Sequence, residues 1–201
     1  MIINKTLLQA AIAKATEVND YYRLNHITGD APQKYMDYVL DSCKALGVGT
    51  VQILQVDIPF DQTAVYSMVV MKGSNPDIVL ARDLNHCWVR YTVCKEIFHL
   101  LIDGEQYRNL DIAAHTEAVT IAYPLNEAKP DMAVAAEFLS EIAAMEFLFP
   151  YAKREHLLTL AGQPNFLAIA QQYRIPQLLI DRYLSQHFME ALGDVSPRYV
   201  A

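Results

Sequence analysis

The spacing of hydrophobic and polar residues predicts a chain that is helical at both ends. Over residues 5–23, apolar side chains recur every three or four positions, which is typical of an amphipathic helix. A second helix is predicted over residues 32–46, with Pro32 in its first turn and Gly47 and Gly49 after its end. The first fifty residues are therefore expected to form two helices.

Between these helices and the next apolar segment, the chain has the composition of short β-strands. Residues 50–57, 64–71 and 78–81 are rich in Val, Ile, Leu and Met and are the three strand candidates. Gly73 to Asp77 has the residues of a turn. We therefore predict a small antiparallel sheet of about three strands.

A helix with two different faces is predicted next, starting at Asp83 or Asn85, either of which can cap it. At about 100° per residue, one set of side chains falls within roughly 60° of His99. This set comprises Trp88, Thr92, Lys95, Glu96 and Asp103. Because Val93 and Ile97 lie on the opposite side, that side is expected to be buried.

The second half of the chain predicts further helices. One covers residues 109–123 and carries His115, and a connector follows at 124–130. The helix from Asp131, its predicted cap, to Phe149 is apolar almost all round, which is typical of a central helix. Glu137, Ser140 and Glu141 lie on its narrow polar stripe, and a carboxylate in such a helix needs a partner, a metal ion or water.

The C-terminal part is predicted to contain helices at 151–160, 164–173 and 176–192, followed by a loose tail over residues 193–201. The resulting fold class is α+β and mostly helical, with the small sheet packed beside the helix that carries His99. Residues 1–192 are expected to form a single domain, because 201 residues of which 53% are hydrophobic can bury one sizeable core.

Charge and cysteine content narrow the function classes. A net charge of −7 argues against direct nucleic-acid binding, which usually shows as a basic face. The three widely spaced cysteines form neither a disulfide framework nor a cysteine-based zinc motif. We expect no signal peptide and no membrane span, and the cysteines are expected to be reduced thiols in a cytoplasm. The sequence leaves the oligomeric state open.

Residues 90–101 come close to a metal-binding motif. In His-Glu-x-x-His on a helix, both His side chains point to one side and bind zinc, and the Glu acts as general base on a metal-bound water. Glu96 and His99 occupy the Glu position and the second His position. Lys95 occupies the first His position.

The segment Arg90-x-Thr92-x-x-Lys95-Glu96-x-x-His99-Leu-Leu resembles the signature of the ImmA/IrrE family of metallopeptidase-like proteins. Residues 78–82 resemble the strand that precedes this signature, and Glu137 to Pro150 resembles the second landmark helix of the family. The resemblance spans roughly residues 48–185. It implies a zincin-like core at 48–150 and a helical C-terminal segment at 151–192.

The same resemblance implies a ligand set from which this sequence departs. Glu137 matches the third metal ligand of the family, or Glu141 does if the register shifts by one turn. Lys95 replaces a ligand, Phe98 stands where the family usually has Gly, and the spacing from His99 to Glu137 is longer than usual. These departures bear on the peptidase activity more than on the fold.

Two arrangements of the site follow from the ligand count. A catalytic zinc needs about three protein ligands, and the resemblance leaves His99 and Glu137, since a protonated Lys95 has no free lone pair. No cofactor is therefore expected, and zinc is possible only if Glu141 or His115 substitutes for the missing ligand. In the alternative arrangement, the Lys95 ammonium replaces the cation and lies within salt-bridge distance of Glu137 or Glu141.

Three functions remain at this stage. The resemblance favours a metallopeptidase fold that has lost metal and catalysis, keeps Glu96 as a relic of the general base, and binds a protein or peptide in the former cleft in a regulatory role. The alternative is an active zinc-dependent peptidase with an altered ligand set, in which Glu96 is the general base. The third is an unrelated α+β domain that matches by chance. Arg90 is expected to be structural in each case.

Overall fold

The structure is a computed structural model that describes residues 5–25, 36–57, 67–72, 75–102, 132–160 and 164–196. In these ranges there are eight helices and one three-stranded sheet, which confirms the mostly helical α+β class. The first four helices are α1 (Lys5–Asn25), α2 (Met36–Ala45), α3 (His86–Ile102) and α4 (Met132–Leu148). The last four are α5 (Tyr151–Thr159), α6 (Phe166–Tyr173), α7 (Gln177–Tyr183) and α8 (Gln186–Gly193). The strands are β1 (Gln52–Val56), β2 (Ser67–Lys72) and β3 (Asn75–Ala81).

The sheet is mixed, so the prediction of an antiparallel sheet was wrong. β3 lies in the middle, with β2 antiparallel on one side and β1 parallel on the other. Burial explains the order, because Ile78 and Leu80 on one face of β3 and Asp77 and Ala81 on the other are all buried. A strand covered on both faces takes the central position. β1 therefore pairs with the remaining side of β3.

β3 also begins earlier than predicted, at Asn75, inside the predicted turn. Pro76 has no N–H to donate, and prolines are therefore tolerated at the beginning of strands. Its position satisfies this rule, since pairing with β1 begins only at Asp77. The strand consequently includes three residues whose composition alone indicates a turn.

α4 is the central helix, as its apolar sequence predicts. It packs against α1 on one side and against α3 on the other, and every residue from 139 to 149 is buried. The ring of Phe147 packs against both neighbours. Its centroid lies 6.0 Å from the ring centroid of Tyr22 in α1 and 6.1 Å from that of Phe98 in α3. α4 thus fixes the position of α3, which also contacts α1, α2, β2 and β3.

α3 begins where one of its two predicted caps places it. The Asn85 side chain accepts hydrogen bonds from the backbone N–H groups of Cys87 at 3.0 Å and Trp88 at 3.1 Å. These bonds satisfy donors that have no partner inside the helix. Val93 and Ile97 are buried, as the helical wheel predicts.

The C-terminal part contains one more helix than predicted. The helix predicted over 176–192 is interrupted at Ser185, whose hydroxyl accepts a hydrogen bond from the N–H of Phe188 at 3.4 Å and caps α8. That prediction was therefore wrong. α6 ends at Arg174, which adopts a left-handed conformation with φ 51°.

Some predictions fall outside the described residues. They are the start of the second helix at Pro32, the position of Asp103 on the face of His99, the helix over 109–123 with His115, the connector at 124–130, the cap at Asp131, and the part of the predicted tail after residue 196. After α8, the N–H groups of Val195 and Ser196 both donate to the carbonyl of Leu192. Across the described ranges, no helix combines the length and the apolar character needed to cross a membrane.

Candidate functional site

α3, α4 and β2 bring polar side chains together at one place, which we call the motif site. Its members are Ser67 of β2, Lys95, Glu96 and His99 of α3, and Glu137 and Ser140 of α4. The helical wheel of α3 places three of these side chains on one face, and the packing of α4 against α3 adds two more. The three predicted residues Glu96, His99 and Glu137 therefore do lie together.

Lys95 forms the centre of the motif site. Its ammonium makes a direct ion pair with a carboxylate oxygen of Glu137 and lies 3.6 Å from Oε1 of Glu96. This contact confirms the prediction that the Lys95 ammonium lies within salt-bridge distance of Glu137 or Glu141. Burial by itself lowers the pKa of Lys95, but the charges of Glu96 and Glu137 and the hydrogen bond to Glu137 outweigh it and raise the pKa above its usual value. Lys95 is thus a permanent cation at neutral pH.

His99 is held by α4. Its Nε2 lies 2.8 Å from the hydroxyl of Ser140 and 3.3 Å from Oε1 of Glu137. The Ser140 hydroxyl also donates to the carbonyl of Glu137 at 2.9 Å, so Ser140 and Glu137 together hold the ring of His99 in place.

Glu96 is buried and faces two partners. The hydroxyl of Ser67 donates to its Oε1 at 2.6 Å, and the Lys95 ammonium lies on the same oxygen. Both of these contacts of Oε1 are with side chains of the protein itself.

These groups do not fit a zinc ion as they are arranged. A catalytic zinc needs about three protein ligands, and Lys95 has no lone pair to offer, which leaves His99 and Glu137. The carboxylate of Glu137 is engaged by the ammonium. Among the side chains that the structure describes, no group of three or more His, Cys, Asp and Glu residues is arranged to hold a metal ion.

The predicted substitute ligands do not join the motif site in the described part of the chain. Glu141, one turn after Glu137, faces the C-terminal helices instead. Nη1 of Arg182 lies 3.0 Å and 3.2 Å from its two oxygens, and the hydroxyl of Tyr183 donates to Oε1 at 3.1 Å. His115 lies outside the described residues.

Arg90 has a structural role, as expected. Its Nη1 donates to the carbonyl oxygens of Tyr173 and Arg174, both at 2.8 Å, at the C-terminal end of α6. These carbonyls have no partner inside the helix, and a cation near a helix C-terminus also interacts favourably with the helix dipole. Burial lowers the pKa of Arg90 without changing this role. Arg90 therefore joins α3 to the C-terminal helices.

The Ser140–His99–Glu137 contacts superficially resemble a hydrolytic triad, but their geometry does not. In a triad the carboxylate binds the ring nitrogen opposite to the one that activates the serine. Here Ser140 and Glu137 both contact Nε2 of His99. The Ser140 side chain is also fully buried and donates to the backbone. Ser140 positions His99 and does not serve as a nucleophile.

Sequence reasoning assigned no role to the two serines of the motif site. Ser140 follows Glu137 by three residues, so helical spacing predicts that the two side chains share one face of α4. Ser67 gave no such signal, because its contact with Glu96 depends on how β2 packs against α3. No protein-family model matches the chain, and no curated protein matches it.

Proposed function

We propose that the protein is a catalytically inactive ImmA/IrrE-like protein with a zincin-like core, which binds a protein or peptide partner at the motif site in a regulatory role. The observation that carries the proposal is the ion pair between Lys95 and Glu137. It puts a side-chain cation between the two landmark helices, at the position where the resemblance implies a metal ion.

The loss of catalysis follows from what peptide hydrolysis requires. A zinc peptidase needs a metal-bound water and a carboxylate base that accepts its proton. An ammonium provides a fixed positive charge but no water-activating coordination. The Glu96 carboxylate is held by Ser67 and Lys95. The residues that would bind and activate a water thus satisfy one another.

A binding role is supported by the partial exposure of the motif site. The side chains of Lys95 and Glu137 are 18% and 25% exposed, so a ligand has access to both charges. An ion pair taken partly out of water adds little net stability, which leaves its presence poorly explained by folding alone. Ser67 lies next to these charges on β2, where an extended peptide has backbone groups to pair with.

A cytoplasmic location belongs to the same proposal. Cys87 and Cys94 are both free thiols. Free thiols are the usual state of cysteine in a reducing compartment.

The first test is the zinc content of the purified chain and of Lys95→His. We expect the unaltered protein to carry no zinc and Lys95→His to bind about one zinc per chain, because the introduced imidazole would join His99 and Glu137 in a three-ligand set. Lys14→His is the matched control, since Lys14 also pairs with a glutamate on a helix, at Glu17. Stoichiometric zinc in the unaltered protein would contradict the proposal and favour the active peptidase.

Hydrolysis of fluorescein-labelled casein separates the two functions further. We expect no zinc-dependent hydrolysis by the unaltered chain. If the chain hydrolyses casein and Glu96→Gln abolishes the activity, Glu96 is the general base of an active peptidase with an altered ligand set. If neither the unaltered chain nor Glu96→Gln hydrolyses casein, and Lys95→His binds zinc, the results support a catalytically inactive protein.

Binding at the motif site is tested with a displayed library of random peptides. Peptides selected on the unaltered chain should lose binding to Ser67→Trp, which fills the space beside Glu96. They should keep binding to Val70→Trp, because Val70 lies on the same strand but points to the opposite face of the sheet. Peptides that bind Ser67→Trp equally well would show that the partner uses another surface.

A further inference from the structure

β1 forms an unusually open edge of the sheet. It pairs with β3 on one side, and no strand of the described ranges lies on its other side. All five of its residues are exposed. The apolar side chains among them, Ile53, Leu54 and Val56, are 38%, 39% and 37% exposed. The edge therefore offers apolar side chains as well as backbone groups.

The five residues of the edge strand themselves lack the features that usually prevent strands from pairing with other molecules, and one charged side chain, Arg82, lies beside the edge at Gln55. Edge strands are commonly protected by lysine or other charges, by proline or by a bulge. Gln52–Val56 contains no charge and no proline, and its ladder with β3 is regular over all five residues. Ile and Val also favour extended structure.

The hydrogen-bonding groups of the edge can be identified from its pairing. The carbonyl of Val56 accepts from the N–H of Arg82, so Val56, Leu54 and Gln52 direct their backbone groups to β3. Ile53 and Gln55, which alternate with them, direct theirs away from the sheet. Nη2 of Arg82 reaches the Gln55 carbonyl at 3.3 Å, and this oxygen keeps a second lone pair.

We propose that β1 pairs with β1 of a second copy of the chain, antiparallel and with the two-fold axis at Leu54. This register places Ile53 of each copy opposite Gln55 of the other, and these are the residues with outward backbone groups. Each such pair exchanges both of its backbone hydrogen bonds. The two sheets then join into one continuous sheet, and the two Leu54 side chains meet on the axis.

A second copy of the chain can approach at this edge. Two copies that each carry a net charge of −7 repel one another over most of their surface, and an uncharged strand is where they can approach. The sequence Gln-Ile-Leu-Gln-Val is also self-complementary about its centre, with no like charges placed opposite each other. The inference is independent of the proposed function, because β1 is the edge opposite to β2 and the motif site.

The dimer is expected to be weak. A single short strand buries much less than the roughly 1,600 Å² of a standard interface. We therefore expect a dissociation constant above about 1 µM. Sedimentation velocity on the full chain from about 1 µM to about 300 µM covers this range. The sedimentation coefficient should rise from that of a monomer toward that of a dimer.

Charges at the two-fold axis test the register. Leu54→Lys places two ammonium groups directly opposite each other, and we expect the dissociation constant to rise at least about tenfold. Leu54→Glu should have the same effect, and an equimolar mixture of the two variants should regain the dimer. Leu167→Lys is the matched control, because Leu167 is 53% exposed on α6, and it should dimerise as the unaltered chain does.

Three results would overturn the inference. They are a monomer at every concentration, a dimer that Leu54→Lys leaves unchanged, and a dimer that both variants lose and their mixture does not regain. If the Leu54 variants fail to fold, amide hydrogen exchange of the unaltered chain decides. Exchange at Ile53 and Gln55 should slow with concentration while exchange at Leu54 stays constant, and no change at Ile53 and Gln55 would overturn the pairing.

Discussion

Two ion pairs on the central helix α4 have the same chemistry and different surroundings. Glu137, near the start of α4, pairs with Lys95 of α3 at side-chain exposures of 25% and 18%. Glu146, near its end, pairs with Arg154 of α5 at exposures of 6% and 0%. The first pair shares its space with polar side chains, whereas the aromatic rings of Tyr151 and Tyr183 lie beside the guanidinium of Arg154.

The difference separates a structural pair from a functional candidate. Glu146 also accepts the N–H of Tyr151 at 3.0 Å, so its charge caps the first turn of α5, where a carboxylate is favourable. The contacts that the structure describes for this pair are all with other groups of the protein, and the two side chains are almost fully buried. The pair at the motif site keeps contact with solvent and can therefore exchange a contact for a ligand.

The sharpest test of this contrast is Glu146→Gln. Removing one charge leaves Arg154 buried without its counter-ion, and we expect the free energy of unfolding to fall by about 3–5 kcal/mol. Urea denaturation measures the loss. The double variant Glu146→Leu with Arg154→Met removes both charges and should recover most of it. A loss below about 1 kcal/mol would mean that the pair is hydrated, as surface pairs are.

The sequence predicted which residues meet at the motif site but only part of the sheet. The wheel of α3 is a local property that placed Lys95, Glu96 and His99 on one face, and the resemblance supplied the facing helix with Glu137. The order of the strands depends on which strand is covered on both faces, and that is decided by the packing of the whole chain. The pattern of β3 resembles that of β2, so the parallel pairing of β1 was not readable from it.

The partners of the three α4 carboxylates also depend on the packing of distant segments, which the sequence does not show. An apolar helix predicts that its carboxylates need partners, and Glu137, Glu141 and Glu146 all have one. Only the partner of Glu137 was predictable, because the resemblance supplied the second helix. Arg182 and Arg154 come from the C-terminal helices, and no spacing in the sequence relates them to α4.

The free energy of unfolding depends on pH through the buried side chain of Tyr183. Burial, and then the nearby charge of Glu141, raise the pKa of Tyr183 well above 10.0. Above pH 10 the unfolded chain loses this proton while the folded chain keeps it, so stability falls with rising pH. The contribution of Tyr183 to the free energy of unfolding is fully present below pH 10. Above pH 10 this contribution is lost at a rate that approaches about 1.4 kcal/mol per pH unit.

Tyr183→Phe isolates this effect. At pH 7 the variant should lose about 1 kcal/mol, the value of the hydrogen bond to Glu141. Between pH 9 and pH 11.5, its free energy of unfolding should fall less steeply than that of the unaltered chain, because the other tyrosines and lysines are common to both proteins. Parallel slopes in urea denaturation would show that Tyr183 ionises as easily in the folded chain as in the unfolded one.

The last expected effect concerns the motif site itself. Lys95→Met keeps the aliphatic part of the side chain and removes the charge, and we expect a loss of about 1–2 kcal/mol at pH 7, between the values for surface and buried pairs. Lys14→Met, at the exposed pair with Glu17, should lose less than about 0.5 kcal/mol and serves as the baseline. A loss for Lys95→Met as large as that for Glu146→Gln would make the motif pair a structural element like the pair at Arg154. A loss no larger than the baseline would mean that folding does not depend on the Lys95 charge, and a role in binding would then be the stronger reason for its position.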